Sequence, residues 1–195
     1  FTLPNVSNGF YDVIASYVGY EAVVYRANIS SKNLQIIFKL TKKPTELRNV
    51  VVLSKDARAK WLAIFRQNFL GITEAARKCK ITNEEEILFE DGNSRDSIKA
   101  FSVVPLEIVN KELGYKIYFE LVGFYYSASQ GRTYFYGYSR FEELSDKELV
   151  PARYLKNREL YYLGSTLHFY HSLIEGKSKE EGFSTLNIRM VEVGD

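Results

Sequence analysis

The stretch "LGYKIYFELVGFYYSASQGRTYFYGYSRF", Leu113–Phe141, decides the fold. It consists of two β-rich runs, "LGYKIYFELVGFYYS" and "GRTYFYGYSRF", joined near Ser127–Gly131 by residues with turn chemistry. Two such runs around a short turn make an antiparallel hairpin. Residues 115–138 hold Tyr115, Tyr118, Tyr125, Tyr126, Tyr134, Tyr136 and Tyr138, with Phe119, Phe124 and Phe135. Alternate strand residues face opposite ways, so both faces of this hairpin are aromatic. One face can be core. The other must meet water, a domain, a ligand or a partner, and tyrosine gives contact area at little entropy cost. Tyr118, Tyr125, Tyr126, Tyr134, Tyr136 and Tyr138 are therefore the candidate interaction surface. The alternative is cross-strand aromatic pairing beneath a long helix.

Toward the N-terminus, residues 10–20 and 21–29 read as strands punctuated by Gly19, and "NLQIIFKL" (33–40) as a third. "KKPTEL" is a connector, because Pro44 cannot donate to a ladder, and the β-branched "LRNVVVL" (47–53) is a fourth strand. The period then changes. Asp56 is placed to cap a helix with Trp61, Phe65 and Phe69 on one side. Gly71 stops it, and Thr73 starts a shorter helix to about Lys80. Strands at 85–90 and 96–103 flank the turn-rich "EDGNSRD" (90–96). Toward the C-terminus, Leu160, Leu163, Leu167, Tyr170 and Ile174 step by three or four residues, which predicts one long helix over 152–175. Pro151 lies in its first turn and Gly176 ends it. A last strand is expected at 184–193.

The chain has 195 residues, 46% of them hydrophobic, which is enough for a packed core. Its 26 basic and 24 acidic side chains leave a net charge of +2, too balanced to point to nucleic acid. Cys79 stands alone, so neither an internal disulfide nor a cysteine-rich zinc site is available. No apolar run approaches the roughly 20 residues that span a bilayer, and no signal peptide is legible. The chain starts at Phe1 and its one methionine is Met190. A longer translation product is expected.

The chemical motifs have bland readings beside them. His168 and His171 form H-x-x-H on the predicted helix, with Glu175 four residues on. A zincin helix needs H-E-x-x-H, and Phe169 stands where its glutamate belongs. Ser165 lies one turn before His168, but no strand–turn–helix elbow surrounds it. Arg158 on the same helix is suited to pair with a buried carboxylate or with Glu180 and Glu181. Arg158, Ser165 and His168 make a weak polar cluster. Glu142–Glu143 and Glu84–Glu86 read as solvated acids. Asn110, Lys111 and Glu112 read as a turn before Leu113–Gly114. Gly164 is read as a point of close backbone approach. No catalytic residue, metal ligand or cofactor is assigned.

"FTLPNVSNGFYDVIASYVGYEAVVYRANI" (1–29) followed by "LRNVVV" resembles the second half of a carboxypeptidase-regulatory-like domain, a small transthyretin-like β-sandwich common in Bacteroidetes-type bacteria. Tyr17-Val18-Gly19-Tyr20 is its most recognisable part. The family's first half is absent, so its strands are expected upstream of Phe1. "FRQNFLGITEAARKCKITN" (65–83), "PLEIVNKELGYKIYFEL" (105–121), "YFYGYSRFEEL" (134–144), "KNRELYYLGSTLHFYHSLIE" (156–175) and "EEGF" (180–183) resemble an uncharacterised group of proteins carrying that module. The resemblance implies export to the periplasm or outer-membrane surface, and it implies no known reaction. The same module precedes the plug of many TonB-dependent transporters, but here a Trp/Phe helix follows "LRNVVVL" instead. Asp96-Ser97-Ile98 resembles the O-glycan acceptor motif of such envelope proteins.

The expected architecture is a partial transthyretin-like β-sandwich, 1–53, followed by an α+β domain, 54–195. The second unit has an antiparallel aromatic-rich sheet and a long covering C-terminal helix. The expected function is a non-enzymatic cell-envelope interaction or assembly module, partnered by an envelope or outer-membrane protein. The alternatives are a glycan-binding protein using hairpin 115–138 and an unrecognised hydrolase. No nucleic-acid partner and no transmembrane segment are expected.

Overall fold

The computed structural model describes residues 1–17, 19–30, 33–42, 50–92, 94–145 and 149–186. Val18 of the Tyr17–Tyr20 motif, Pro44 and the start of "LRNVVVL", and most of the predicted strand 184–193 lie outside the described residues; 184–186 are not strand.

The N-terminal piece is a two-stranded antiparallel sheet of β1 (Gly9–Ala15) and β2 (Val23–Ile29), paired from Gly9↔Ile29 to Ala15↔Val23. Gly19 turns the chain at φ 81°, a conformation that suits glycine. Residues 33–40, expected as a strand, form no ladder. They run beside β2 and touch its neighbourhood through the Tyr20↔Lys42 bridge and the Glu21 N–H, which donates to the Thr41 carbonyl. Leu34 and Ile37 stay exposed. Ile36, Phe38 and Leu40 are half-buried in alternation with exposed neighbours, so the strand-like pattern is present, but no continuous ladder partner among the described residues lies along the segment.

Helix α1 (Lys55–Phe69) is capped by Ser54, whose Oγ accepts from the Ala57 N–H at 3.3 Å. Asp56, expected as the cap, sits in the first turn instead, where its charge still favours the helix N-terminus. Trp61, Phe65 and Phe69 share one face, and Phe65 is wholly buried. Thr73 caps the short α2 (Glu74–Arg77).

The main sheet is an antiparallel meander. Its strands are β3 (Cys79–Ile81), β4 (Ile87–Asp91), β5 (Ser97–Ser102), β6 (Leu106–Asn110), β7 (Tyr115–Ser127) and β8 (Arg132–Glu143), in the order β3-β6-β7-β5-β4 with β8 on the other edge of β7. β5 and β6 are two halves of one interrupted row, since β6 pairs with Tyr115–Phe119 and β5 with Phe124–Ser127 on the same strand. β3 and β4 form a second interrupted row beside them. β3 and β6 were not among the predicted strands. Both are short, and β6 ends in the turn that does form at Asn110, whose Oδ1 accepts from the Glu112 and Leu113 N–H groups.

All rows break at one level. β7 and β8 shift register between Leu121 and Gly123, which leaves Val122 as an extra residue. Opposite lie 103–105 in the next row and the 3-10 turn Glu84–Glu86 in the last. A bulge bends a strand and leaves polar backbone unpaired. Asn83 fills part of that deficit: its Nδ2 donates to the Pro105 carbonyl at 3.0 Å and its Oδ1 accepts from the Glu107 N–H at 2.8 Å. Arg58 of α1 donates to the carbonyls of Glu84, Glu85 and Ile87, which fastens the helix to the bend.

The bulge also sets which side chains are core. Before it, Ile117, Phe119 and Leu121 face α1; after it, the parity switches and Phe124 and Tyr126 do. Phe65 stacks on Phe69 at 5.0 Å and meets the tilted Phe124 ring at 4.7 Å, and Phe69 meets Phe119 at 5.0 Å and Phe135 at 4.9 Å. The helix over the aromatic sheet is thus α1, not the C-terminal helix.

The C-terminal helix is two helices, α3 (Ala152–Tyr162) and α4 (Thr166–Ile174), where one over 152–175 was expected. Gly164 takes φ 77° and Ser165 caps α4. A Cβ on Gly164 would meet nothing within 4 Å, so its backbone angle, not close approach, calls for glycine. α3 docks at the root of the hairpin. The Tyr154 ring lies where a Cβ on Gly114 would be, at 2.2 Å, and Asn157 donates to the Glu112 carbonyl.

Phe65→Ala leaves a cavity among aromatic rings and is expected to cost about 3–5 kcal/mol, read from urea unfolding with Trp61 fluorescence as the probe. Gly137→Ala is expected to destabilise as well, because the new Cβ would lie 2.0 Å from the Glu120 carbonyl oxygen, a backbone atom that cannot rotate away.

Candidate functional site

The face of β7–β8 turned away from α1 carries Tyr118, Tyr125, Tyr134, Tyr136 and Tyr138, and these five sequence-predicted residues share it by register. Tyr126 does not. The parity switch at Val122 turns it toward α1, where it meets Trp61 edge-on at 6.4 Å. Of the five, Tyr125 is buried and Tyr118 and Tyr138 are half-buried, whereas Tyr134 and Tyr136 are 57% and 58% exposed.

Two clusters organise this face. In the first, Tyr125 and Tyr134 are cross-strand partners with rings stacked at 5.1 Å, and Lys99 pairs with Tyr125 on the other side. Tyr136 lies opposite Gly123; a Cβ there would come within 2.6 Å of the Tyr136 ring, so the ring rests on bare backbone. Glu90, Lys99, Tyr125, Tyr134 and Tyr136 line an open groove of about 300 Å³. In the second cluster, two cations lie over the Tyr118 ring, the Arg140 guanidinium at 4.1 Å and the Lys116 ammonium at 4.7 Å from its centre. Lys116 pairs with Glu107 at 2.9 Å, and Arg140 pairs with Glu142. The Tyr118 hydroxyl and then Glu107 raise the Lys116 pKa, while Arg140 holds the Glu142 carboxyl below its usual range. At the Tyr138–Glu120 level, the Ser16 hydroxyl of the N-terminal piece donates to the Glu120 carboxylate.

Lys99, Glu90, Lys116, Glu107 and Arg140 were not anticipated at this site. Period-two alternation places Lys116 with Tyr118, and Arg140 with Tyr138. Lys99 and Glu90 arrive only through the pairing register of β4 and β5, which local sequence does not specify.

Arg158, Ser165 and His168 do not form one cluster. Arg158 lies over the Tyr115 ring at 3.7 Å, donates to Glu143 through two nitrogens at 2.9 and 2.7 Å, and donates to the Leu113 carbonyl at 2.8 Å. Its partner is thus Glu143 of β8, not Glu180 or Glu181. Ser165 Oγ accepts from the backbone N–H of His168, not from its ring. The buried His168 ring accepts the Gly164 N–H at Nδ1, 3.0 Å away. Nε2 therefore carries the proton and donates to Glu181 at 3.1 Å. A nucleophile–base contact is not made by this pair. His171 meets the Tyr162 hydroxyl and Glu175 pairs with Lys177, so the H-x-x-H–Glu set diverges. Among the described residues, no group of three or more His, Cys, Asp or Glu is placed to hold a metal. No described helix is long and apolar enough to cross a membrane.

Asp96-Ser97-Ile98 ties two loops together. Ser97 is buried; its Oγ donates to the Ser94 carbonyl and accepts the Ser94 N–H. Asp96 accepts from the Ser94 hydroxyl and from the Ser129 N–H in the β7–β8 turn. The hydroxyl of the glycan-acceptor-like motif thus has a structural use.

No protein-family model, curated protein or solved structure matches the chain.

The Ser94 hydroxyl, followed by Ser129, lowers the Asp96 carboxyl to about 2. An unfolded Asp titrates near 3.9, at about two pH units higher. The folded-state pKa is the lower one, so this contribution is whole above about pH 4 and is lost as pH falls toward 2. Urea midpoints of the wild type and Asp96→Asn are expected to differ at pH 5 and to converge as pH falls toward 2.

Proposed function

We propose that the chain is a non-enzymatic binding module of the cell envelope that presents the outer tyrosine face of β7–β8 to an envelope or outer-membrane protein. The observation that carries this reading is the pair of exposed rings, Tyr134 and Tyr136, packed on Tyr125 and on the bare backbone of Gly123. Rings fixed before binding lose little entropy on contact, which is the property of an interface anchor. The flanking Lys99 and Glu90, with the Tyr118–Arg140 stack, supply a polar rim. In this reading, β1 and β2 belong to the later half of a transthyretin-like sandwich, and the module works in the periplasm or at the outer-membrane surface. Both points rest on the resemblance of residues 1–29 and "LRNVVV" to carboxypeptidase-regulatory-like domains.

One observation favours glycan as the occupant instead. The groove between Tyr134, Tyr136, Lys99 and Glu90 combines ring faces with hydrogen-bonding charges, which suits a sugar ring and its hydroxyls.

The test is a pull-down of the tagged chain from detergent-solubilised envelope of its own host, run beside a Tyr134→Ser/Tyr136→Ser variant. A stoichiometric outer-membrane protein retained by the wild type and lost by the equally stable variant is the expected result. A wild-type chain that returns alone overturns the protein-partner reading. Saturable quenching of tyrosine fluorescence by an oligosaccharide, abolished in the same variant, would transfer the face to glycan.

A further inference from the structure

Among the described residues, β8 pairs with β7 along its length and no strand pairs with its outer edge. On the opposite edge, β4 is met by the preceding segment: Val50 bridges Glu90, and the Val51 N–H donates to the Phe89 carbonyl. An open edge is a template for a further strand, and proteins blunt such edges with charged side chains, Lys above all, with Pro, bulges or short length. β8 lacks most of these, and its charges leave the centre of the strand free. It runs for 12 residues, "RTYFYGYSRFEE", without Lys or Pro, and the sheet's extra residue lies in β7. Its charges are confined to Arg132 at one end and to Arg140, Glu142 and Glu143 at the other.

We propose that a second copy of this chain adds to β8, antiparallel, about a two-fold axis at Gly137, so that one sheet runs through both copies. The charge pattern of the strand selects this occupant and this register. In a continuous sheet, residues directly opposite share a face, so only registers that set outer-face residues against one another are allowed. Centred on Gly137, Arg132 faces Glu142 of the second copy, Tyr134 faces Arg140, and Tyr136 faces Tyr138. Each pair occurs twice by symmetry. Centred on Tyr136, the strand sets Arg132 against Arg140. Centred on Tyr138, it leaves Arg132 past the strand end. Only the Gly137 register joins opposite charges on both sides. On the other face it brings the exposed Phe135 opposite Ser139, and the exposed Phe141 opposite Thr133, giving both rings a neighbour across the seam.

Sedimentation velocity on the full chain over a range of concentrations tests this. The expected species at high concentration is twice 22.5 kDa. Arg132→Glu sets like charges opposite one another at both ends and is expected to weaken the dimer about tenfold or more. Arg132→Glu/Glu142→Arg restores the match and is expected to recover most of the affinity. Amide exchange, independent of any variant, is expected to show β8 protection rising with wild-type concentration. A chain that stays monomeric throughout overturns the proposal, and so does a dimer indifferent to Arg132→Glu. A monomer that dimerises only after residues 187–195 are removed also overturns it for the intact chain, and gives the edge to the chain's own C-terminal segment.

Discussion

The extra residue at Val122 in β7 is the constraint on which the rest of the structure depends. A strand of 13 residues with strict alternation would put Phe119 and Phe124 on opposite faces. The bulge switches parity once, so that Ile117, Phe119, Leu121, Phe124 and Tyr126 all point at α1. It also bends the strand, and β5–β6 and β3–β4 break at the same level to follow it. Phe65 enters the concavity and is wholly buried, with rings from its own helix and from β7 around it.

A bend of this kind strands backbone polar groups, and the sequence meets the deficit with few side chains. Asn83 offers an acceptor and a donor across the break between β5 and β6. Arg58 gathers carbonyls from the 3-10 turn, and Arg66 pairs with Glu84 beside it. The same residues hold α1 against the bend, so helix position and sheet curvature are one feature. At the far end, Arg158 plays a corresponding part for α3, with its guanidinium between the Tyr115 ring, two carbonyls and Glu143. These roles account for arginines that could otherwise be read as binding residues.

The outer face follows from the inner one. Once parity is set by the core, Tyr118, Tyr125, Tyr134, Tyr136 and Tyr138 have nowhere else to point. Their burial differs because neighbours differ: Tyr125 lies between Lys99 and Tyr134 in mid-sheet, while Tyr134 and Tyr136 stand on the edge strand. On this face of the hairpin the exposed rings are therefore those of β8, beside the open backbone edge. The same strand serves the proposed binding face with its side chains and the proposed self-pairing with its main chain.

Local sequence determined the elements whose signals are local. The β7–β8 hairpin, the Trp61–Phe65–Phe69 stripe, the Thr73 cap and the Asn110 turn all rest on periodicity or on a side chain bonding to its own neighbourhood. The α3–α4 break was legible too, in Gly164–Ser165, but the apolar spacing across it spoke for one helix. Only the tertiary structure decided the rest. Short β6 is a strand because β7 offers an edge, and β3 because β6 offers the next one; residues 33–40 are not, because no ladder partner among the described residues lies along them. Tyr126 went to the core through a one-residue bulge, and Lys99 and Glu90 came to the tyrosine face through strand register. Each of these outcomes depends on partners far along the chain, and the free energy of pairing and burial that fixes them is absent from any local window.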